Sequence, residues 1–251
     1  MSRQNQSDCG CSSSPIGQRN ITLVGPQNAG KTTLFNTLTG LNYKTVNYPG
    51  ATVSYCVGQA RNSLGLHATI KDTPGIPSLT PSSPDHEVTC EQIFKCAAHD
   101  IIVAVIDATQ LCRHLYLVEQ LKESGFSMLL CVTMGDILNK QQKTLDIKKL
   151  GIELGMPAVL VDARCELNIK YLADAIGKIN LPDDIILTPP TEILEEEIIS
   201  RFKKIEAIEK SVLSTKLKTN EQPKQPTFNW DTVFLNPLLG PVIFFAILFC
   251  V

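Results

Sequence analysis

Gly25-Pro-Gln-Asn-Ala-Gly-Lys-Thr32 is the stretch whose residue types and spacing most directly imply chemistry. It fits GxxxxGK[ST], follows a β-branched run at 20–24 and opens a helical stretch at 31–39, the context that the pattern requires. Gly25 and Gly30 let the backbone curl so that its N–H groups face phosphate oxygens, and the helix adds the positive end of its dipole. The expected phosphate cradle is Gly25, Asn28, Ala29, Gly30, Lys31, Thr32 and Thr33. Lys31 has the reach for β- and γ-phosphates, and Thr32 offers a hydroxyl to Mg2+, which prefers oxygen ligands.

Three further signals follow in order. Asp72-Thr-Pro-Gly75 ends a strand candidate at 66–71. Asp72 can hold a Mg2+ shell through a water, and the Gly75 N–H can sense a γ-phosphate. Thr133-Met134-Gly135-Asp136 follows the apolar run 128–132. A carboxylate at Asp136 can accept from N1 and the 2-amino group of guanine, whereas adenine offers neither donor and would leave the charge unpaired. Asp162-Ala163-Arg164 follows the run 157–161, and the Ala163 N–H can meet guanine O6. Each signal is weak alone; four in sequence, each at a strand end, read as a guanine-nucleotide site.

The elements that must position these residues alternate. Continuous apolar runs at 101–106, 128–132 and 157–161 suit strands buried on both faces. Helical stretches near 110–124, 140–154 and 168–179 separate and follow them. Repeated strand–loop–helix units predict an α/β fold with a mostly parallel sheet and flanking helices, with ligands beyond the carboxyl ends of the strands. Residues 181–190 break the rhythm, and 191–218 form a charged helical stretch with Ile193, Leu194, Ile198, Ile199, Phe202, Ile205 and Ile208 near one face. The predicted organisation is a disordered leader at 1–18, a nucleotide domain at 19–180, a small helical domain and linker at 181–230, and the start of a membrane region at 231–251. The last segment carries no charge after Asp231 and ends GPVIFFAILFCV, which predicts a membrane region whose remainder is missing from this chain.

A net charge of -2 excludes a broad basic face, so no nucleic-acid partner is expected. Nine cysteines at scattered positions lack CxxC or zinc spacing and read as mostly free thiols in a reducing compartment. His67, His86, His99 and His114 follow no ligand spacing, and Asp107 reads equally as a cap or a catalytic group.

Together these residues resemble a translation-factor-type GTPase, and more narrowly the cytosolic P-loop G domain of the ferrous iron transporter B family. The resemblance rests on GPQNAGKTTLFNTLTG (25–40), NYPGATV (47–53), DTPGIPSLTPSSPD (72–85), VIDATQLCRHLYLVEQL (105–121) and LNPLLGPVIFF (235–245). It implies GTP and GDP as ligands, Mg2+ and K+ as cofactors, and a G domain followed by a helical spacer and a membrane permease. Thr52 would then bind Mg2+ and the γ-phosphate, Asn28 would coordinate K+, and Lys31, Thr52 and Gly75 would serve hydrolysis. Ile76 stands where many regulatory GTPases carry a catalytic Gln, so slow intrinsic hydrolysis is expected. The family usually has Asn at the position of Thr133 and Ser at that of Asp162; the shorter Thr133 predicts weaker nucleotide binding with retained guanine choice, and Asp162 is left without an assigned effect.

The resulting expectation is a GTPase switch for ferrous iron uptake on the cytoplasmic side of a cell inner membrane, with switch segments at 42–53 and 73–88. Its partners would be guanine nucleotide and a permease region in the same or a separate chain; small accessory transport proteins and further copies of the chain are also allowed. Two other readings stay open: a soluble RNA- or ribosome-associated GTPase, and a nucleotide-binding module without turnover.

Overall fold

In the computed structural model, which describes residues 19–48, 53–81, 83–96, 100–182, 186–190 and 195–215, the run before the glycine loop forms β1 (Arg19–Val24). The loop leads into α1 (Lys31–Thr39), then β2 (Tyr43–Asn47), β3 (Ser54–Gln59), β4 (Ala68–Asp72) and α2 (Pro84–Cys96). The second half contains β5 (Ile101–Asp107), α3 (Leu111–Glu123), β6 (Met128–Thr133), α4 (Gly135–Lys140), β7 (Lys143–Leu145) and α5 (Ile147–Leu154). It closes with β8 (Ala158–Leu160), α6 (Glu166–Gly177), α7 (Glu195–Val212) and β9 (Leu213–Thr215). Chain contacts define two units, Met1–Lys216 and Leu217–Val251, and every described residue lies in the first. The expected leader at 1–18, residue Thr52, the linker at 219–227 and the segment 231–251 lie outside the described residues. Among the described residues no helix is long and apolar enough to cross a membrane.

Seven strands form one sheet in the order β2-β3-β4-β1-β5-β6-β8. β4, β1, β5, β6 and β8 run parallel, while β2 and β3 add an antiparallel edge. Every residue of β5 and β6 is buried, as continuous apolar runs demand when helices cover both faces. The pleat sorts them: Ile101, Val103 and Val105 pack with α1 and α6 through Leu34, Phe35, Ile169 and Leu172. Ile102, Ala104 and Ile106 pack with α3 and α5 through Leu115, Val118 and Leu150.

Three expected elements have different bounds. The helical stretch at 140–154 is interrupted: Lys143–Leu145 is a strand, and the helix starts only at Ile147, where Asp146 accepts from the Lys149 N–H at 3.0 Å. The reason is a partner distant in sequence, because β7 pairs antiparallel with β9. The stretch at 191–218 correspondingly leaves the helix at Val212 to supply that strand. The segment expected to be a switch at 42–53 includes β2 and the approach to β3, an exposed hairpin whose strands carry no alternating apolar face.

α7 belongs to the same core as α3. Ile205, Ile208 and Val212 are buried in the cluster that holds Leu115 and Val118, whereas Ile199 is 49% exposed and falls off the predicted stripe. Phe202 stacks on Tyr116 with ring centroids 5.1 Å apart, and Lys204 pairs with Glu119 at 3.2 Å. Ile205→Ala is expected to lower the stability of the whole unit by about 2–4 kcal/mol in urea unfolding, in a single transition. A separate early transition with an unchanged main midpoint would show that α7 folds apart from the sheet.

Candidate functional site

The strand order reverses beside β1: β4, β3 and β2 lie to one side and β5, β6 and β8 to the other. Ligand crevices form at such a switch point, beyond the carboxyl ends of parallel strands. There the structure collects the loop after Val24, Asp72 at the end of β4, Asp107 and Thr133 paired at the ends of β5 and β6, and Asp162 just beyond β8.

The glycine loop bends sharply at Asn28 (φ 61) and Gly30 (φ 88). Asn tolerates the left-handed region better than most residues, so the backbone alone gives Asn28 a reason to be there. Gly25 lies against β5 so closely that a Cβ would sit 2.1 Å from Val105 O. Lys31 is buried, and its Nζ donates to Pro26 O at 2.7 Å. Burial draws its pKa from 10.5 down to about 8, with Asp72 opposing the fall. Thr33 is exposed in the first turn of α1, and Ala29 is fully buried.

Asp72 is 8% exposed, and its Oδ2 accepts from Thr32 Oγ1 at 2.9 Å. Burial pushes its carboxyl above the usual range, opposed by the Thr32 hydroxyl and by Lys31. Its Oδ1 is buried without a hydrogen-bond partner among the described residues. An orphaned carboxylate oxygen beside a hydroxyl is the oxygen donor set that Mg2+ takes together with nucleotide oxygens. Among the described residues no three His, Cys, Asp or Glu side chains cluster to hold a metal by themselves. Gly75 packs on the glycine loop, where a Cβ would meet Gln27 Cγ at 2.6 Å and Gln27 N at 2.8 Å. Ile76 is fully buried and donates its N–H to Gly25 O at 3.1 Å.

Thr133 bonds to two main-chain carbonyls. Its hydroxyl reaches Ala29 O at 2.8 Å and Ile106 O at 3.0 Å, so this side chain ties the loop after β6 to the glycine loop. Met134 takes φ 61 at the start of α4, and Asp136 stands in the first turn of that helix. Sequence reasoning missed the contact that Asp136 makes. Arg164 Nη2 donates to Asp136 Oδ2 at 3.0 Å, while its Nε and N–H both donate to Asp162 Oδ1, at 3.1 and 3.0 Å. Asp162 is therefore held below the ordinary carboxylate range, first by the Arg164 N–H and then by its guanidinium. Ala163 is half-buried between the two charged residues. Arg164 is 72% exposed, so water screens its pairing with Asp136.

Asp107 resolves toward the cap: its Oδ1 accepts from Thr109 N at 2.7 Å and Thr109 Oγ1 at 2.8 Å. Its N–H donates to Nδ1 of His114, which is 4% exposed and which burial holds below the ordinary imidazole range.

The family model described as "Ferrous iron transport protein B" matches residues 19–176. A relative named Fe(2+) transporter FeoB from Leptospira biflexa is 38% identical over 161 residues, 64% of this chain and 23% of the relative. One from Salmonella typhimurium is 37% identical over 171 residues, 66% of this chain and 22% of the relative. The chain thus spans under a quarter of the length of these relatives. The cytosolic domain of L. pneumophila FeoB superposes with a TM-score of 0.65 at 28% identity, covering 78% of this chain and 100% of that one. A mutant of S. thermophilus NFeoB bound to GDP gives a TM-score of 0.60 at 32% identity, covering 72% of this chain and 68% of that one.

The tie made by Thr133 can be tested without a ligand. Thr133→Val keeps the methyl that packs 3.6 Å from the Cβ position of Gly30 but leaves Ala29 O without its side-chain donor. A loss of about 1–3 kcal/mol in urea unfolding is expected, with Thr133→Ser retaining most of the stability. Equal stability of the Val variant and the parent would remove the hydroxyl from the account of loop positioning.

Proposed function

We propose that this chain, which belongs to the ferrous iron transport protein B family, binds and slowly hydrolyses GTP as a switch for iron transport on the cytoplasmic side of a cell inner membrane. One observation carries the reading. The residues at the carboxyl ends of the parallel strands follow one order across the sheet, Asp72 and Gly75 after β4, the glycine loop after β1, Asp136 after β6 and the 162–164 turn after β8, so metal, phosphate and base would be laid across it in turn. The names of the relatives, and the GDP bound to one of the solved neighbours, support the same ligand and cargo.

In this reading the inward N–H groups of the loop and Lys31 bind the phosphates. Asp136 accepts from guanine after Arg164 swings aside, and the Ala163 N–H meets O6. Thr32 and Asp72, with Thr52, would hold Mg2+, which neutralises charge on the phosphates. Asn28 would hold K+ beside them and add a further positive charge in the transition state. Gly75 and the segments 42–53 and 73–88 respond to the γ-phosphate. Residues 181–230 serve as the spacer toward a permease in the same or a separate chain, and small accessory transport proteins or further copies of the chain are additional partners.

Two measurements test this. The full chain with Mg2+ is expected to turn over GTP and not ATP, faster in potassium than in sodium chloride. Asn28→Gly preserves the left-handed backbone and removes the amide, so it should lose the potassium effect while keeping GDP affinity. Equal rates in both salts would take the cation away from Asn28. The second concerns Lys31, whose pKa burial draws down to about 8. Below that value the ammonium is charged and ready for phosphate; above it, binding must also take up a proton. GDP affinity should therefore be nearly flat from pH 6.5 to about 8 and weaken roughly tenfold per unit above it. A profile flat to pH 9 would show that the ammonium is not depressed.

A further inference from the structure

We infer that Gln27 is a catalytic residue that orients the attacking water during GTP hydrolysis, an assignment that rests on the GTPase reading above. The segment after Asp72 offers no side chain for that task. Thr73 spends its hydroxyl on Leu23 O at 2.8 Å, and Pro74 has no polar side chain. Ile76 is apolar, fully buried beside Leu79 and Ile93, and fixed through its N–H to Gly25 O. Among residues 73–76 the glycine loop is met by main chain alone, at Gly75 and at the Ile76 N–H.

Gln27 fills this gap from the other side. It is exposed, and its Cγ lies against Gly75 so tightly that any Cβ there would stand 2.6 Å away. The terminal amide is one bond beyond that Cγ. The amide thus starts from an atom packed on Gly75, whose N–H faces the γ-phosphate in this reading, and belongs to the residue after Pro26, whose carbonyl holds the Lys31 ammonium. A carboxamide there can accept from a water through Oε1 and donate through Nε2 to a γ-phosphate oxygen.

The chemistry asks for no more than this. The water oxygen attacks the γ-phosphorus, the bond from phosphorus to the β–γ bridging oxygen breaks, and its electron pair stays on the oxygen that leaves with GDP. One water proton remains on the new phosphate oxygen, and the other passes to a phosphate oxygen or to solvent. Because the transition state is loose, positioning matters more than proton abstraction, and a neutral amide that takes no proton is sufficient.

Gln27→Ala and Gln27→Asn test the assignment in the full 251-residue chain. Single-turnover GTP hydrolysis, steady-state KM and GDP affinity would be measured on each, with melting temperature as the folding control. Both variants should lose about tenfold to a hundredfold in the hydrolysis step, Asn because its amide falls one methylene short. GDP affinity and KM should stay within about twofold, since loop N–H groups and Lys31 are retained. An unchanged or faster rate in the Ala variant would overturn the assignment and make Gln27 a steric obstacle at the γ-phosphate. A parent chain that binds GDP without turning over GTP would overturn both this role and the enzyme reading. A parent that binds no GDP would overturn the nucleotide reading itself.

Discussion

The site depends on where the carbonyls of the glycine loop point. Gly25 O accepts the Ile76 N–H, Pro26 O accepts the Lys31 ammonium, and Ala29 O accepts the Thr133 hydroxyl. Within a trans peptide the C=O and N–H point in opposite directions. The bond on Ala29 O therefore turns the Gly30 N–H the other way, whereas Gly25 is followed by Pro26, which has no N–H to turn. Two segments outside the loop, through the Ile76 N–H and the Thr133 hydroxyl, and Lys31 within it thus fix where these carbonyls point. The same bonds dock the segment after Asp72 and the loop after β6 onto the cradle, so the phosphate, metal and base candidates are positioned by one set of contacts.

That construction places charge where water is scarce. Burial is the largest influence on both Lys31 and Asp72, lowering the first and raising the second, and their mutual attraction only partly offsets it. Burying charges whose hydrogen bonds are incomplete is unfavourable, and Asp72 Oδ1 lacks a partner among the described residues. A bound anion beside Lys31 and a cation beside Asp72 would relieve both penalties. Relief of these penalties would add to the affinity for a charged ligand.

Much of this was legible in the residues, for identifiable reasons. Asp136 follows Met128–Thr133, which like Ile101–Asp107 is buried on both faces, while the strands that lead to the glycine loop, Asp72 and Asp162 are only partly buried. Punctuation by a polar residue at the carboxyl end then marks the functional edge. What escaped depends on partners far away in the chain. β7 exists only because β9 pairs with it, 70 residues later at Thr144 and Ser214. The hairpin of β2 and β3 lies at an exposed edge, where burial imposes no alternation. Arg164 looked like a neutral companion of the base-reading turn, yet its reach across 28 positions to Asp136 is a tertiary fact. The compensation of Asp162 by that same arginine could not be read from the turn alone.

α3 links the far side of the molecule to the segment that senses phosphate in the proposed mechanism. On successive residues it presents Glu119, which accepts from Lys204 of α7 at 3.2 Å, and Gln120, whose Oε1 accepts from the Leu79 N–H at 2.8 Å. Gln120 is 1% exposed, so the second bond is made away from water, whereas the ion pair joins the buried Glu119 to an exposed Lys204. Yet the Gln120 Nε2 is buried without a partner among the described residues, a defect worth about 1–3 kcal/mol against the present arrangement. A segment held by a good bond through one end of an amide, and penalised through the other, is not deeply trapped. Any displacement of Leu79 must either carry Gln120 along or break that bond. Either outcome is felt on α3, one residue from the contact with α7. A short sliding of residues 73–81 can therefore bias the packing of a helix that touches neither phosphate nor base, through two adjacent side chains and without a longer chain of intermediates.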